Sequence, residues 1–409
     1  MFSLNRFYNI LHDNLISKIH NGKSVCFYPF GTYENNFILT TKHFGYNIDS
    51  HVEYFNWRTD RPFFHCYFAD QEPYYNETFP VLKNALIHRD HIMPDTRINI
   101  LANSEKSQLK NNFLQSENYY DWYYFYHGFA ALDWYRDFQY IEPQSFKSFD
   151  KVFICYNHLI SKYRSYRLHL VSNLIEQDLV KHGRVSMSLE DNLGTWEETV
   201  RHPETPLDTR ARLKIYKVLQ NVKKPLVIDT DTPNGTLSAN VDFDDLVSAL
   251  FHVVTETVYF QDKLHLTEKV FKPIVAKRPF FLVSTPGSLA YFKSYGFKSF
   301  DRWIDESYDD EEDHYIRIEK ITEQIKQLCS LPMEELKEMH IEMQEVLEYN
   351  FNHFYNTFKD IIVDELVDNF SGVLGQINNG RQPNNHSKYH QRFELLPEYL
   401  ADVKTRLKQ

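Results

Sequence analysis

Short apolar bursts, each followed by a helical-period segment, constrain this chain more than any other feature of its sequence. Residues 24–29 (SVCFYP), 62–68 (PFFHCYF) and 97–102 (RINILA) read as strands in the first part. Residues 151–156 (KVFICY), 183–188 (GRVSMS) and 278–284 (RPFFLVS) read as strands further along, and 226–229 and 249–259 as strands or strand-helix junctions. Runs this short and apolar, separated by polar helical stretches, predict an α/β protein with parallel sheets. Ligands of such sheets gather at the carboxyl ends of strands. The residues delivered there are Asp70-Gln71-Glu72-Pro73 and Asn103-Ser104-Glu105-Lys106.

A chain of 409 residues exceeds one ordinary core and suits two domains. The shift to Pro, Gln, Ser and Lys at residues 142–150 marks the linker. The predicted boundaries are 1–148, 149–350 and a C-terminal helical segment and tail at 351–409. Residues 311–367 take a helical period with Glu and Lys four apart. The tail from Asn369 to Gln409 contains the segment NNGRQPNNH at 378–386, which reads as mobile, followed by a short helix near 397–407.

A net charge of −11 disfavours a general electrostatic grip on nucleic acid, although a local basic cleft is compatible with it. Cys26, Cys66, Cys155 and Cys329 are scattered without a paired motif, so neither a zinc site nor a disulfide framework is implied. A reducing, cytoplasmic setting fits such thiols. No run approaches the roughly 18 apolar residues of a membrane span. The 28 Tyr and 32 Phe suit ring stacking on sugars, although an AT-biased coding preference is the plainer account of them.

The chemistry concentrates at His265-Leu266-Thr267-Glu268-Lys269-Val270-Phe271-Lys272-Pro273. Thr267 suits a helix N-cap, with Glu268 and Lys269 at the helix mouth. Unpaired N–H groups and partial positive charge there suit a diphosphate, and Lys269 adds a full charge. Glu268 can accept from the paired hydroxyls of a ribose, and Lys272 follows one turn later. The plainer reading is a capped surface helix with an ordinary Glu/Lys pair.

Residues 256–279 resemble the donor-binding core of GT-B glycosyltransferases related to the α1,3-fucosyltransferases, in a virus- and bacterium-associated branch. The elements that carry the likeness are Glu256, Thr267-Glu268-Lys269, the helix at 270–277 and the strand at 279–283. Pro286-Gly287-Ser288-Leu289, Gly296-Phe297 and Trp303-Ile304-Asp305-Glu306-Ser307-Tyr308 extend it, as does Asp70-Gln71-Glu72-Pro73. The family's Glu-Asn-Ser after the strand is here Glu256-Thr257-Val258, with a longer loop.

The resemblance implies two Rossmann-like domains facing a cleft, followed by C-terminal helices. It also implies metal-independent, inverting sugar transfer from a GDP- or UDP-linked donor without a further cofactor. Nucleotide-sugar-binding residues become Arg164, Arg167, Glu256, Thr267, Glu268, Lys269 and Lys272, with Asn157 in the loop after the first donor-domain strand. The general base comes from the N-terminal domain in this family, and Glu72 and Asp70 are its candidates. His127, whose type titrates near neutrality, is the alternative.

Asp229-Thr230-Asp231 and Asp242-Phe243-Asp244-Asp245 spell D-x-D but sit among turn formers without His nearby, so surface turns are expected and no metal site. The acidic run at 305–313 reads as a solvated helix start. Two competing readings remain at this point. One moves the acceptor from a glycan to a hydroxymethylated DNA base, as phage enzymes do; the other is a non-catalytic glycan-binding or structural protein on a GT-B scaffold. Localisation follows as cytoplasmic, or host-cytoplasmic for a viral protein.

Overall fold

A computed structural model describes residues 7, 10, 11, 14, 15, 25–27, 63–75, 97–117, 119–132, 134, 135, 149–228, 242–379 and 397–408. The chain is mixed α/β. Its strands are β1 (Val25–Phe27), β2 (Phe63–Phe68), β3 (Arg97–Asn103), β4 (Tyr119–Tyr123), β5 (Lys151–Cys155), β6 (Gly183–Val185), β7 (Ala249–Thr255) and β8 (Phe280–Val283). The helices used below are α1 (Gln108–Ser116), α2 (Tyr126–Leu132), α3 (Tyr166–Glu176), α4 (Thr209–Leu219), α5 (Phe271–Val275), α6 (His314–Ser330), α7 (Phe358–Asn378) and α8 (Pro397–Lys408). Two compact units result: residues 1–138 with 358–409, and residues 139–357. The terminal helices α7 and α8 therefore belong to the first unit. The proposed linker at 142–150 lies largely outside the described residues.

In the first unit the sheet order is β1-β2-β3-β4, parallel throughout. The aromatic run from Tyr119 resolves into β4 and α2, and it is core. Trp122 and Tyr124 are fully buried, and Trp122 meets Phe370 of α7 at 4.5 Å between ring centroids. The indole N–H donates to the Leu366 carbonyl at 3.0 Å, satisfying the one polar atom this ring buries. Gly128 lets α2 approach α7, because a Cβ there would stand 2.9 Å from the Phe358 ring. These rings form the packing between sheet and helices. Helix α7 also moves the start of the expected tail: it continues past Asn369 to Asn378, with Phe370, Val373 and Leu374 buried, and residues 380–386 of the segment expected to be mobile lie outside the described residues. That apolar spacing keeps the segment helical beyond Asn369.

In the second unit the order is β8-β7-β5-β6, again parallel throughout. Every residue of β7 is buried, as expected of a parallel strand covered on both faces. The first strand of this unit, β5, lies inside the sheet: β6 pairs on one side and β7 on the other. The order therefore reverses between β5 and β7, and crevices at such reversals are where open α/β sheets bind ligands.

Two expectations change here. The helix at Thr267-Glu268-Lys269 is a 3-10 turn, Glu268–Val270, running into the five-residue α5. So short an element has little aligned dipole to offer an anion. The acidic run at 305–313 is only partly solvated. Asp309 is buried and accepts the Leu289 N–H at 3.0 Å and the Ala290 N–H at 3.1 Å, capping the helix Ser288–Ser294.

Candidate functional site

The reversal between β5 and β7 is bridged by side chains from α3. Arg167, 5% exposed, donates to the carbonyls of Leu159 at 2.9 Å, Thr255 at 3.1 Å and Glu256 at 3.3 Å. The Tyr166 hydroxyl also reaches the Glu256 carbonyl, at 2.5 Å, and its ring stacks on Tyr259 at 4.2 Å. Burial pushes the Tyr166 phenol up to about 12, so it remains a donor at neutral pH. Thr255 closes the strand ends directly, its hydroxyl donating to the Tyr156 carbonyl at 2.9 Å. Arg167 thus joins the loops after β5 and β7. Its charge is directed at backbone oxygens.

The loop after β5 is held on its other side by Asp191, which accepts the N–H groups of Ile160 at 2.8 Å and Ser161 at 2.9 Å, and the Ser161 hydroxyl at 2.6 Å. Burial raises the Asp191 pKa, but these bonds and one from the Leu193 N–H outweigh it, and the carboxyl sits below its usual range. Asn157 is buried, with its amide nitrogen donating to the Ser186 carbonyl at 3.1 Å. Its Oδ1 is buried without a hydrogen-bond partner among the described residues, as is the Ser165 hydroxyl at the start of α3. Polar atoms left this way cost stability unless something pairs with them.

Glu256 follows β7 directly and is fully buried. Its carboxylate accepts the Thr267 hydroxyl at 2.6 Å and the N–H groups of Thr267 and Thr257 at 3.3 Å each. The Thr267 hydroxyl in turn accepts from the Lys269 ammonium at 3.0 Å and from the Lys269 N–H at 3.4 Å. The ammonium also lies 3.3 Å from the Glu268 carboxylate and 3.5 Å from the Thr257 hydroxyl. Glu268 is buried, whereas the Lys269 side chain is 32% exposed. An internal carboxylate therefore fixes a threonine, and the threonine fixes a lysine that faces solvent.

Lys272 is half-buried on α5. Burial, opposed by Glu268 and helped by Lys269, draws its ammonium down to about 8. Arg164 is half-buried in the 3-10 turn Lys162–Arg164, just ahead of α3. The long loop after β7 is anchored from behind as well. Arg317 of α6 donates to the Tyr259 carbonyl at 3.2 Å and the Ser284 carbonyl at 2.9 Å, and the Thr285 hydroxyl donates to the Gln261 carbonyl at 2.6 Å.

The acid–base candidates lie in the first unit, at the end of β2. Asp70 is buried and accepts the Tyr124 hydroxyl. His127 of α2 donates through Nε2 to the Gln71 carbonyl at 2.8 Å, and the Gln71 amide donates to the Tyr126 hydroxyl at 2.7 Å. The structure thus brings His127 onto the Asp70–Glu72 segment. Of the three candidates only Glu72 is half-buried; the other two are buried.

Of the D-x-D segments, residues 229–231 lie outside the described residues. Asp242 caps the helix Phe243–Val247, accepting the Asp245 N–H at 3.1 Å, and Asp245 pairs with Arg184 at 2.5 Å. No group of three or more His, Cys, Asp and Glu side chains is placed to hold a metal among the described residues. Among them, too, no helix is long and apolar enough to cross a membrane.

Sequence reading missed Tyr166, Asp191 and Arg317, whose work is done through backbone carbonyls or N–H groups and leaves no motif. It also missed a cavity of about 420 Å³ in the first unit, between α1, β4 and α7. Asp121, a lone carboxylate inside the aromatic run, was the available signal for that cavity.

No protein-family model and no curated protein matches the chain. Among solved structures, it is similar to a T4 phage BGT mutant in complex with UDP-glucose, at 11% identity over 84% of each chain with a TM-score of 0.36, a likeness too slight to carry an argument.

Proposed function

We propose that the chain is a metal-independent, inverting GT-B-type glycosyltransferase, moving a sugar from a UDP- or GDP-linked donor to a hydroxyl acceptor, a glycan first. The observation that carries this reading is the Glu256–Thr267–Lys269 chain at the carboxyl end of β7. It presents a partly exposed ammonium on a locked loop, beside the sheet's reversal point. Glycosyl transfer needs the leaving diphosphate neutralised as the anomeric bond breaks. Preorganised cations do this without reorganising during the reaction.

In this reading Lys269 meets the diphosphate, with Lys272 and Arg164 as the further cations. Each charge-assisted bond is worth about 1.5–3 kcal/mol. Glu268 holds Lys269 and faces the ribose. Arg167, Glu256 and Thr267 act one step back, by fixing the loop. Glu72 is the base, with the buried Asp70 and His127 ordering its segment.

A thermal-shift screen against UDP, GDP, CMP and dTDP tests the donor site. A nucleotide at about 100 times its Kd stabilises by about 2.7 kcal/mol. One of the four is expected to raise the melting temperature and to lose that effect in Lys269→Ala. If none shifts it, the donor reading fails.

A further inference from the structure

The cavity in the first unit is lined by Lys106, Lys110 and Asn111 at the start of α1, Asp121 and Tyr123 of β4, and Asn369 of α7, among others. Its volume, about 420 Å³, falls within the range of small-molecule sites, about 300–1,000 Å³.

Its floor is a closed set of polar contacts. The Lys110 ammonium, 3% exposed, pairs with Asp121 at 2.9 Å and donates to Asn103 Oδ1 at 3.1 Å. Asn103, itself buried, donates to Asp121 Oδ1 at 2.6 Å. Asp121 is thereby fixed while its side chain stays 40% exposed. A carboxylate offers about four acceptor positions. Among the described residues, Lys110 and Asn103 use three of them, and Oδ2 takes one bond. Asn369 donates through Nδ2 to the Tyr123 carbonyl at 2.8 Å, and its Oδ1 has no partner among the described residues. The Asn111 carboxamide is exposed.

Charge decides between ligand classes. Lys106 and Lys110 are balanced by Asp121 and Glu365 in the same lining, two positive against two negative. An anion gains no net attraction from that set, and an amine faces two ammonium groups. The Tyr123 ring has ammonium nitrogens over it, Lys106 at 4.7 Å and Lys110 at 5.6 Å from its centroid, so stacking is not the mode of capture. What remains is a ligand whose groups donate and accept together. Hydroxyls do this: each can donate to a carboxylate or carboxamide oxygen and accept from an ammonium or carboxamide nitrogen.

We propose that this cavity binds a neutral saccharide ring, with adjacent hydroxyls on Asp121 and the carboxamides of Asn111 and Asn369. The site is built from the first unit's own elements and does not depend on the nucleotide reading of the second.

The test is saturation-transfer NMR and calorimetry on the full chain, free of nucleotide. The probes are glucose, galactose, xylose and N-acetylglucosamine, with inorganic phosphate and ethylamine as charged controls. At least one sugar is expected to bind with roughly millimolar affinity. Asp121→Asn should weaken it roughly ten- to a hundredfold, the loss of a charge-assisted hydrogen bond. Because Asp121→Asn strands the buried Lys110, Asn111→Ala and the cavity-filling Asn111→Trp provide exposed-side tests. The first should weaken binding several-fold and the second abolish it, both with an unchanged melting temperature. The proposal is overturned by phosphate or ethylamine binding where sugars do not, by silence from every probe, or by sugar binding that survives both Asn111 variants. Nucleotides are absent throughout, so the result stands whether or not Lys269 receives one.

Discussion

The two parallel sheets use their carboxyl ends differently. In the first unit, strand order follows chain order without a reversal. The groups after β2 turn inward there: Asp70 is capped by Tyr124 and His127 by the Gln71 carbonyl. In the second unit the order reverses between β5 and β7, and α3 inserts Arg167 and Tyr166 to join the loops at that point. Two lysines make the same contrast at atomic scale. Lys110 is sealed against Asp121 and Asn103, whereas Lys269 is held by similar oxygens yet remains a third exposed. A paired cation becomes a ligand group when its partners fix it without covering it.

The largest effect expected from separating the regions falls on the first unit's core. Trp122→Ala should cost about 3–5 kcal/mol in chemical denaturation, because it removes a fully buried indole together with its hydrogen bond to the Leu366 carbonyl. A loss below about 1 kcal/mol would mean that α7 does not depend on this ring. In the second unit, Arg167→Met should cost about 3 kcal/mol by taking the side-chain donor from the Leu159 and Thr255 carbonyls at the reversal point, while the Glu256 carbonyl keeps Tyr166. If Arg167 were instead a ligand group, the variant would keep its stability and lose only nucleotide affinity.

Acid should act on the second unit through two buried histidines. Burial draws His252 down to about 3 and His340 to about 4, the latter helped by the neighbouring Arg278. Both are depressed in the folded state, so below the ordinary histidine value near 6.5 the unfolded chain binds more protons. Their stabilisation is complete above that value and is lost as pH falls towards 4 for His340 and 3 for His252. Melting temperatures measured between pH 7 and pH 4 should fall less steeply in His340→Gln than in the parent chain. Equal slopes would remove His340 from the account.

A smaller effect is expected at the relay itself. Thr267→Val leaves the buried Glu256 carboxylate short of its hydroxyl donor and should cost about 1–2 kcal/mol, with Thr267→Ser restoring most of it. Because Lys269 loses a fixed partner, nucleotide affinity should fall in the valine variant and recover in the serine variant. A valine variant with full affinity would break the link from Glu256 to Lys269.

Much of this was legible in the residues. Runs such as KVFICY and RPFFLVS located β5 and β8 because a strand buried on both faces needs continuous apolar residues. Thr267 was legible as a cap because hydroxyls at that position accept backbone N–H groups. The length of the following helix was not, since Lys277 takes a left-handed backbone, φ 51°, and turns the chain toward β8 after five helical residues. Nor were the roles of Glu256 and Arg167. The family resemblance assigned them to a donor site, but only the fold shows their polar atoms directed at Thr267 and at backbone carbonyls. The Asp121 cavity was hidden because its walls come from segments far apart in the chain.

The central claim is that Lys269 receives a nucleotide diphosphate on a loop held by Glu256. Calorimetric titration of UDP and GDP into the parent chain, Lys269→Ala and Lys269→Arg tests it most directly. One nucleotide should bind the parent chain, lose roughly ten- to a hundredfold affinity in the alanine variant, and recover part of it with arginine. The melting temperature without ligand should fall in the alanine variant, where the buried Glu268 loses a neighbouring cation, and fall less with arginine. Equal affinity in all three proteins, or no binding by the parent chain, would contradict the account.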